Sequence, residues 1–316
     1  MDIVNDFKQS CSSLMKNKAI ILPRLACNVI SVSLLAVLIF STGLAGVVSE
    51  YSSLVNRYNQ EHNAITGQSG QKLSEYLAAN GFDASVKFMN LVNLQNAVIS
   101  LAIITIILLI AYYLRAFQLA MTASVVGNKK LVYKKIMGSS FRLMFRLGFY
   151  DLLCLLAVGV PILLMILTVL SFFAVSKWLG ILSFVIVLFL ALAYVFFMIV
   201  KFIFASPIIF IENGTAFSSL KKSYSITKGR MKQACIVFAV IFGIGLGFGF
   251  GGNTYSNAFF GLLAFDNFIN FALDIFVVML FFIVSSAAHT FIRMFLFYAY
   301  IDFKSEKNGK SAKNFR

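Results

Sequence analysis

Three basic residues stand at matching places in a chain that carries few charges. Arg115, Lys201 and Arg293 each follow a long apolar run and are themselves followed by more apolar sequence. A charge placed beside hydrocarbon is expensive, so such a residue is a functional candidate by default. Arginine offers a planar fork that grips phosphate in bidentate fashion, and lysine offers a compact point charge. If the three meet at one depth, they form a set of contacts for an anionic headgroup. The competing expectation is that each snorkels separately, its stem buried and its charge in water. The remaining ionisable groups beside apolar runs are Asp151, Asp274 and His289. Asp151 is expected to be solvated or paired with a neighbouring Arg or Lys. His62 and His289 are too far apart in sequence to be paired by spacing. No metal-ligand spacing, activated-nucleophile pattern or phosphate loop occurs. The expectation is therefore no catalytic residue, no metal, no cofactor and no enzymatic activity.

The elements that must position these residues follow from composition. Hydrophobic residues make up 60% of the 316 and charged ones 12%, and the mean hydropathy is +0.88. A soluble domain has an apolar share of roughly 45–50% and a charged share of about 25%. Apolar runs long enough to cross a bilayer cover 25–48, 97–114, 148–173, 178–200, 234–252 and 268–301. The fold class is accordingly all-α and polytopic, with six transmembrane helices in one integral membrane domain over 1–316. The first span is too long for the apolar core of a cleaved leader and should be retained. Residues 50–96 form the one sizeable polar stretch, too short to build a good core alone. A surface cap is expected there, with a turn at Gly67-Gln68-Ser69-Gly70, a short helix through Leu73, Tyr76 and Leu77 ended by Gly81, and a second pattern at Phe88, Leu91 and Val92.

The net charge of +15 suggests nucleic acid only until its distribution is read. Lysines and arginines cluster before the first span, between the second and third, between the fourth and fifth, and after the sixth, while the alternate loops hold few. That bias places both termini in the cytoplasm and residues 50–95 outside, in a cell (plasma) membrane. The partners it predicts are anionic headgroups on the cytoplasmic side and a possible membrane protein, with no nucleic acid. Cys11, Cys27, Cys154 and Cys235 lie in spans or cytoplasmic segments, so no disulfide framework is expected.

The basic joints also repeat. Residues 1–18 read as an amphipathic interfacial helix. The patterns Phe7-x-x-Ser10-x-x-x-Leu14, Ile136-x-x-Ser139-x-x-x-Leu143 and Leu220-x-x-Ser223-x-x-x-Thr227 each precede an odd-numbered span. Apolar sequence continues past Arg115 to a break at Gly127-Asn128, and past Lys201 to Asn213-Gly214. The even-numbered helices are over-long and must tilt, kink or project. Three cytoplasmic amphipathic helices with three membrane hairpins, as a triple repeat, are the reading. In span 5 the alternating glycines place Gly243, Gly247 and Gly251 on one helix face, which predicts close helix packing there. The formal match of Gly247-x-Gly249-x-x-Gly252 to a dinucleotide fingerprint lacks the strand that would give it meaning.

The joint Pro207-Ile-Ile-Phe-Ile-Glu212-Asn-Gly214, followed by Phe217-Ser-Ser-Leu220-Lys-Lys222-Ser223-Tyr224 and Lys228-Gly229-Arg230, resembles a known arrangement. It is similar to the six-helix membrane domain attached to some bacterial glycerophosphoryl diester phosphodiesterases, and to its stand-alone prokaryotic relatives. The exit Tyr298-Ala-Tyr300-Ile-Asp302-Phe-Lys304 resembles the Tyr-x-Asp-x-Arg ending common there, with Lys in place of Arg. The resemblance implies a six-helix fold. No catalytic phosphodiesterase segment is present, so it implies no enzymatic activity. Two functions follow from the sequence: a non-catalytic multi-pass protein organising lipids or protein partners, or alternatively a transporter or flippase for an anionic or lipid-like substrate.

Overall fold

The structure, a computed structural model, describes residues 2–64, 73–83, 86–87, 93–249 and 268–307. Among these every regular element is helical. The helices are α1 (Ile3–Lys16), a 3₁₀ turn (Lys18–Ile21), α2 (Leu22–Ser41), α3 (Leu44–Ala64), α4 (Leu73–Ala79), α5 (Leu94–Val126), α6 (Tyr133–Val175), α7 (Lys177–Phe202), α8 (Ala205–Ile211), α9 (Ala216–Thr227), α10 (Met231–Gly249) and α11 (Phe268–Lys307). Five stretches are long and apolar enough to cross a membrane: Lys18–Ser41, Gln95–Val126, Tyr133–Val175, Lys177–Ile211 and Leu273–Ser305. A sixth, Met231–Leu246, passes that test only together with Ala216–Thr227, from which it is bent by 112°. All four cysteines are free.

Two compact units are present. The first comprises Met1–Arg24, Tyr112–Gly249 and Ser286–Arg316, the second Leu25–Ala111 and Phe250–Ser285. In the second unit, the first apolar run does not continue to 48. It ends at Ser41, where the Thr42 hydroxyl donates to the Leu38 carbonyl at 2.8 Å and Gly43 takes a positive φ of 77°. A side-chain hydroxyl competing for the helix ladder beside a glycine in the left-handed region ends the helix. The polar stretch is largely helical: α3 packs on α4 through Tyr58 and Tyr76, and Lys87 pairs with Glu50 at 2.7 Å. Gly81, at φ 73°, ends α4 as its pattern predicts. The turn at Gly67–Gly70 and the pattern at Phe88, Leu91 and Val92 lie outside the described residues.

In the first unit the end of α11 is the central post. Met294, Phe295, Leu296 and Phe297 are consecutive and all buried, so that stretch is enclosed on every side. Met294 and Phe297 join Leu119, Met121, Leu143 and Leu147 of α5 and α6. Phe295, Tyr300 and Phe303 join Phe204, Ile208, Ile226 and Val237 of the α7–α10 region. The basic segment before the third span is not a separate helix, because α6 runs unbroken for 43 residues. At 1.5 Å per residue that is about 64 Å, more than twice a hydrocarbon core. Gly148, where hydropathy suggests a boundary, is tolerated inside the helix.

The break in the long even helix has a chemical cause. Pro207 in the first turn of α8 has no N–H to give to the Ile203 carbonyl. The Ser223 hydroxyl of α9 accepts from the Phe204 N–H at 3.3 Å and donates to the Lys201 carbonyl at 2.8 Å. Of the repeated serines, Ser10 and Ser223 are fully buried, whereas Ser139 is exposed and its neighbour Ser140 is the buried one. The three serines of the repeated pattern therefore do not share one environment.

Candidate anionic-headgroup site

Arg115 projects from α5 a few residues past the most apolar part of that helix, and Arg293 from α11 one residue before its fully buried stretch. Both line one cavity of about 690 Å³ in the first unit, together with Tyr150, Asp151 and Cys154 of α6 and His289 of α11. The opposing wall is apolar, formed by Met198, Ile199 and Phe202 of α7 and Phe238, Ile241, Phe242 and Leu246 of α10. Arg115 Nη1 donates to Asp151 Oδ2 at 2.6 Å, so Asp151 is paired with a neighbouring arginine. The buried Nε of Arg115 has no hydrogen-bond partner. Among the described residues no carboxylate pairs with Arg293. The polar end of the cavity holds two guanidinium groups against one carboxylate, with His289 beside them. An apolar chamber of this size with a few converging polar groups has the dimensions of a small-ligand site.

Lys201 does not line this cavity. It is buried, with Nζ 4.7 Å from the Tyr224 ring centre and 5.2 Å from that of Phe197. Two aromatic faces supply the negative potential that a counter-ion would otherwise provide. The structure thus brings Arg115 and Arg293 together and holds Lys201 apart in an aromatic clamp.

Gly243 lies on α10 with open space beside it, since a Cβ built there meets nothing within 4 Å. Among the described residues its face has no close neighbour. The surroundings of Gly247, and Gly251 itself, lie outside the described residues. Asp274 belongs to α11 and is not among the residues of the cavity.

Sequence reasoning placed Glu212 in the joint after Pro207 but gave it no role. Its carboxylate pairs with Lys222 through Oε2, and at Oε1 accepts from Tyr300 Oη at 2.6 Å and pairs with Lys304 at 2.8 Å. Burial alone would raise its pKa, but the hydrogen bonds from Lys222, Lys304 and Tyr300 outweigh burial and hold it at about 2. One carboxylate thereby ties α9 to the end of α11. The neighbouring residues are structural in the same sense. Asn213 takes φ 55°, its carbonyl receives Arg146 Nη1 at 2.8 Å, and Thr215 caps α9 by accepting from the Ser218 N–H at 3.3 Å. A signal was available, because Glu212 is the lone acidic residue between Lys201 and Lys232.

Among the described residues no cluster of three or more His, Cys, Asp or Glu could hold a metal ion. Comparison with family models, curated proteins and solved structures finds no match for the chain.

Proposed function

We propose that this chain is a non-catalytic multi-pass membrane protein that organises lipids by binding an anionic headgroup at Arg115 and Arg293. The observation that carries the reading is the cavity itself, where Arg293 faces an apolar wall with no carboxylate of its own and Asp151 is committed to Arg115. A phospholipid has the matching division, a phosphate for the guanidinium groups and acyl chains for the wall formed by Phe238, Phe242 and Leu246.

The interfacial reading of the basic helices supports the same function. Val4, Phe7 and Met15 on α1, Phe217 and Tyr224 on α9, and Tyr133, Met137, Phe141 and Phe145 on the first turns of α6 are all exposed. Large apolar residues on one face of a basic helix suit the boundary between headgroups and acyl chains. The charge bias then puts these helices and both termini on the cytoplasmic side of a cell membrane. The resemblance to the six-helix membrane domain fits this placement and adds no chemistry of its own.

The test is the anionic lipid retained after mild purification. Arg293→Lys and Arg115→Lys keep the charge and lose the fork, and each is expected to lower retained anionic lipid severalfold. Lys201→Gln is expected to leave it unchanged. Equal lipid content in both Arg variants and the parent overturns the proposal and leaves the arginines as anchors.

A further inference from the structure

A second basic cavity of the first unit, about 900 Å³ in volume, shares no residue with the cavity at Arg115 and Arg293. It lies where α5 ends and α6 begins. Small residues line the α5 wall at Ala120, Ala123, Ser124 and Gly127, one helical stripe at i, i+3, i+4 and i+7. The facing stripe of α6 places Gly138 and Ser139 between Lys135 and Arg142. Lys129, Lys130 and Arg146 complete the rim. Five cations therefore surround one groove, and no carboxylate lines it. Among the described residues none of the five forms an ion pair. The contrast is with Glu212 in the same unit, where one carboxylate binds two lysines.

Topological bias explains why basic residues are numerous here, but not where they point. At 100° per residue, Lys135, Arg142 and Arg146 lie across α6 from the exposed face of Tyr133, Met137, Phe141 and Phe145. Lysines and arginines that merely follow an apolar face into headgroups would flank that face. These instead converge on a groove kept open by glycine, alanine and serine on both walls. Arg146 is held in place by its bond to the Asn213 carbonyl.

The geometry points to a binding site for a compound bearing two or more phosphate groups. One phosphate monoester carries about −1.5 to −2 at neutral pH and a diester about −1, so a single group leaves most of five cations unneutralised and each further group offsets more of them. Lys135 and Arg142 are also about 10 Å apart along the helix, which favours an extended anion over a single phosphate. A soluble polyphosphate and a lipid headgroup with two phosphates share this chemistry.

Two arms separate the sources. The whole protein in an uncharged detergent is titrated with inorganic tripolyphosphate, and the protein in phosphatidylcholine nanodiscs is compared with and without cardiolipin, whose headgroup carries two phosphates. The Lys135→Gln/Arg142→Gln double variant removes charge at two exposed positions, and Ser139→Leu plugs the groove without changing charge. The expected result is one tripolyphosphate bound per parent chain, at least tenfold weaker binding in both variants, and unchanged melting. Cardiolipin binding with the same losses, and none for tripolyphosphate, makes the ligand a headgroup and also supports the site. Equal binding by parent and variants, no binding in either arm, or a silent Ser139→Leu beside a weakened charge variant overturns it, the last because diffuse attraction needs no groove.

Discussion

Phe204 and Leu163 belong to the same unit, and both are large apolar side chains, but their surroundings differ completely. Phe204 is fully buried, with its ring centre 4.6 Å from that of Phe303 and 6.0 Å from that of Tyr300. Leu163, in the second half of α6, is 56% exposed, and most of its neighbours on α6 and α7 are exposed too. The packed end holds the buried core, the ion pairs of Glu212 and both cavities. The apolar flanks of α6 and α7 hold mainly helix contacts, with Tyr194 Oη donating to the Ala157 carbonyl at 2.7 Å as a rare polar link. Hydrophobicity alone does not distinguish the two regions. What differs is whether the apolar surface is covered by other described residues or left open.

That difference sets the largest expected effect. Phe204→Ala empties a site enclosed by Tyr300, Phe303 and Ile208 and should destabilise the first unit by about 3–5 kcal/mol. Leu163→Ala, on a flank where lipid can fill the space, should change stability by no more than about 0.5 kcal/mol. Thermal melting of the two variants in one detergent measures both. Similar losses would break the distinction between packed end and flank.

Next comes the carboxylate at the packed end. Glu212→Ala strands Tyr300 Oη, Lys222 and Lys304 at once and should cost about 2–3 kcal/mol, reduced from a fully buried pair because both lysines are partly exposed. The pH dependence has a definite sign. A glutamate carboxyl in the unfolded chain titrates near 4.3, and in the fold Glu212 is held at about 2. Its stabilisation is therefore complete above about pH 5 and is lost as pH falls toward 2. Glu212→Gln should flatten the acid limb of the melting profile between pH 5 and pH 2. An unchanged slope would show that other carboxylates set it.

The contrast also explains what the sequence could and could not reveal. Long apolar runs and local stops are one-dimensional features, so the end of α5 at Gly127-Asn128 and of α8 before Asn213 were legible, and in the structure both asparagines take positive φ. The union of the basic segment with the third span was not, because hydropathy marks where a helix meets water and not where it ends. The partners of Lys201 were hidden for another reason. Tyr224 reaches it through the break that Pro207 introduces and Ser223 patches, and spacing along α7 gives no sign of a clamp built across two helices. Glu212 was passed over because its partner residues, Tyr300 and Lys304, come from the far end of the chain.

Glycines give the smallest and most discriminating effects. At the packed end, a Cβ on Gly214 would lie 2.5 Å from the Ser219 hydroxyl oxygen and 3.5 Å from Ile208 Cγ2. Gly214→Ala must displace a fully buried serine and should destabilise by about 1–2 kcal/mol. In the apolar part of α10, a Cβ on Gly243 meets nothing within 4 Å.

Gly243→Ala should therefore be neutral or stabilising by up to about 1 kcal/mol, because alanine loses less backbone entropy in a helix than glycine does and no neighbour resists it. The pair Gly214→Ala and Gly243→Ala makes the same chemical change in the two regions, so opposite signs in thermal melting are the expected result. A loss of stability at Gly243 would mean that its face is covered by something other than the described residues. Repeating the melt across a range of protein concentrations at fixed detergent identifies the cover. A second copy makes the loss depend on concentration, whereas bound lipid does not, and either outcome would move Gly243 from the exposed flank to the covered side of the comparison.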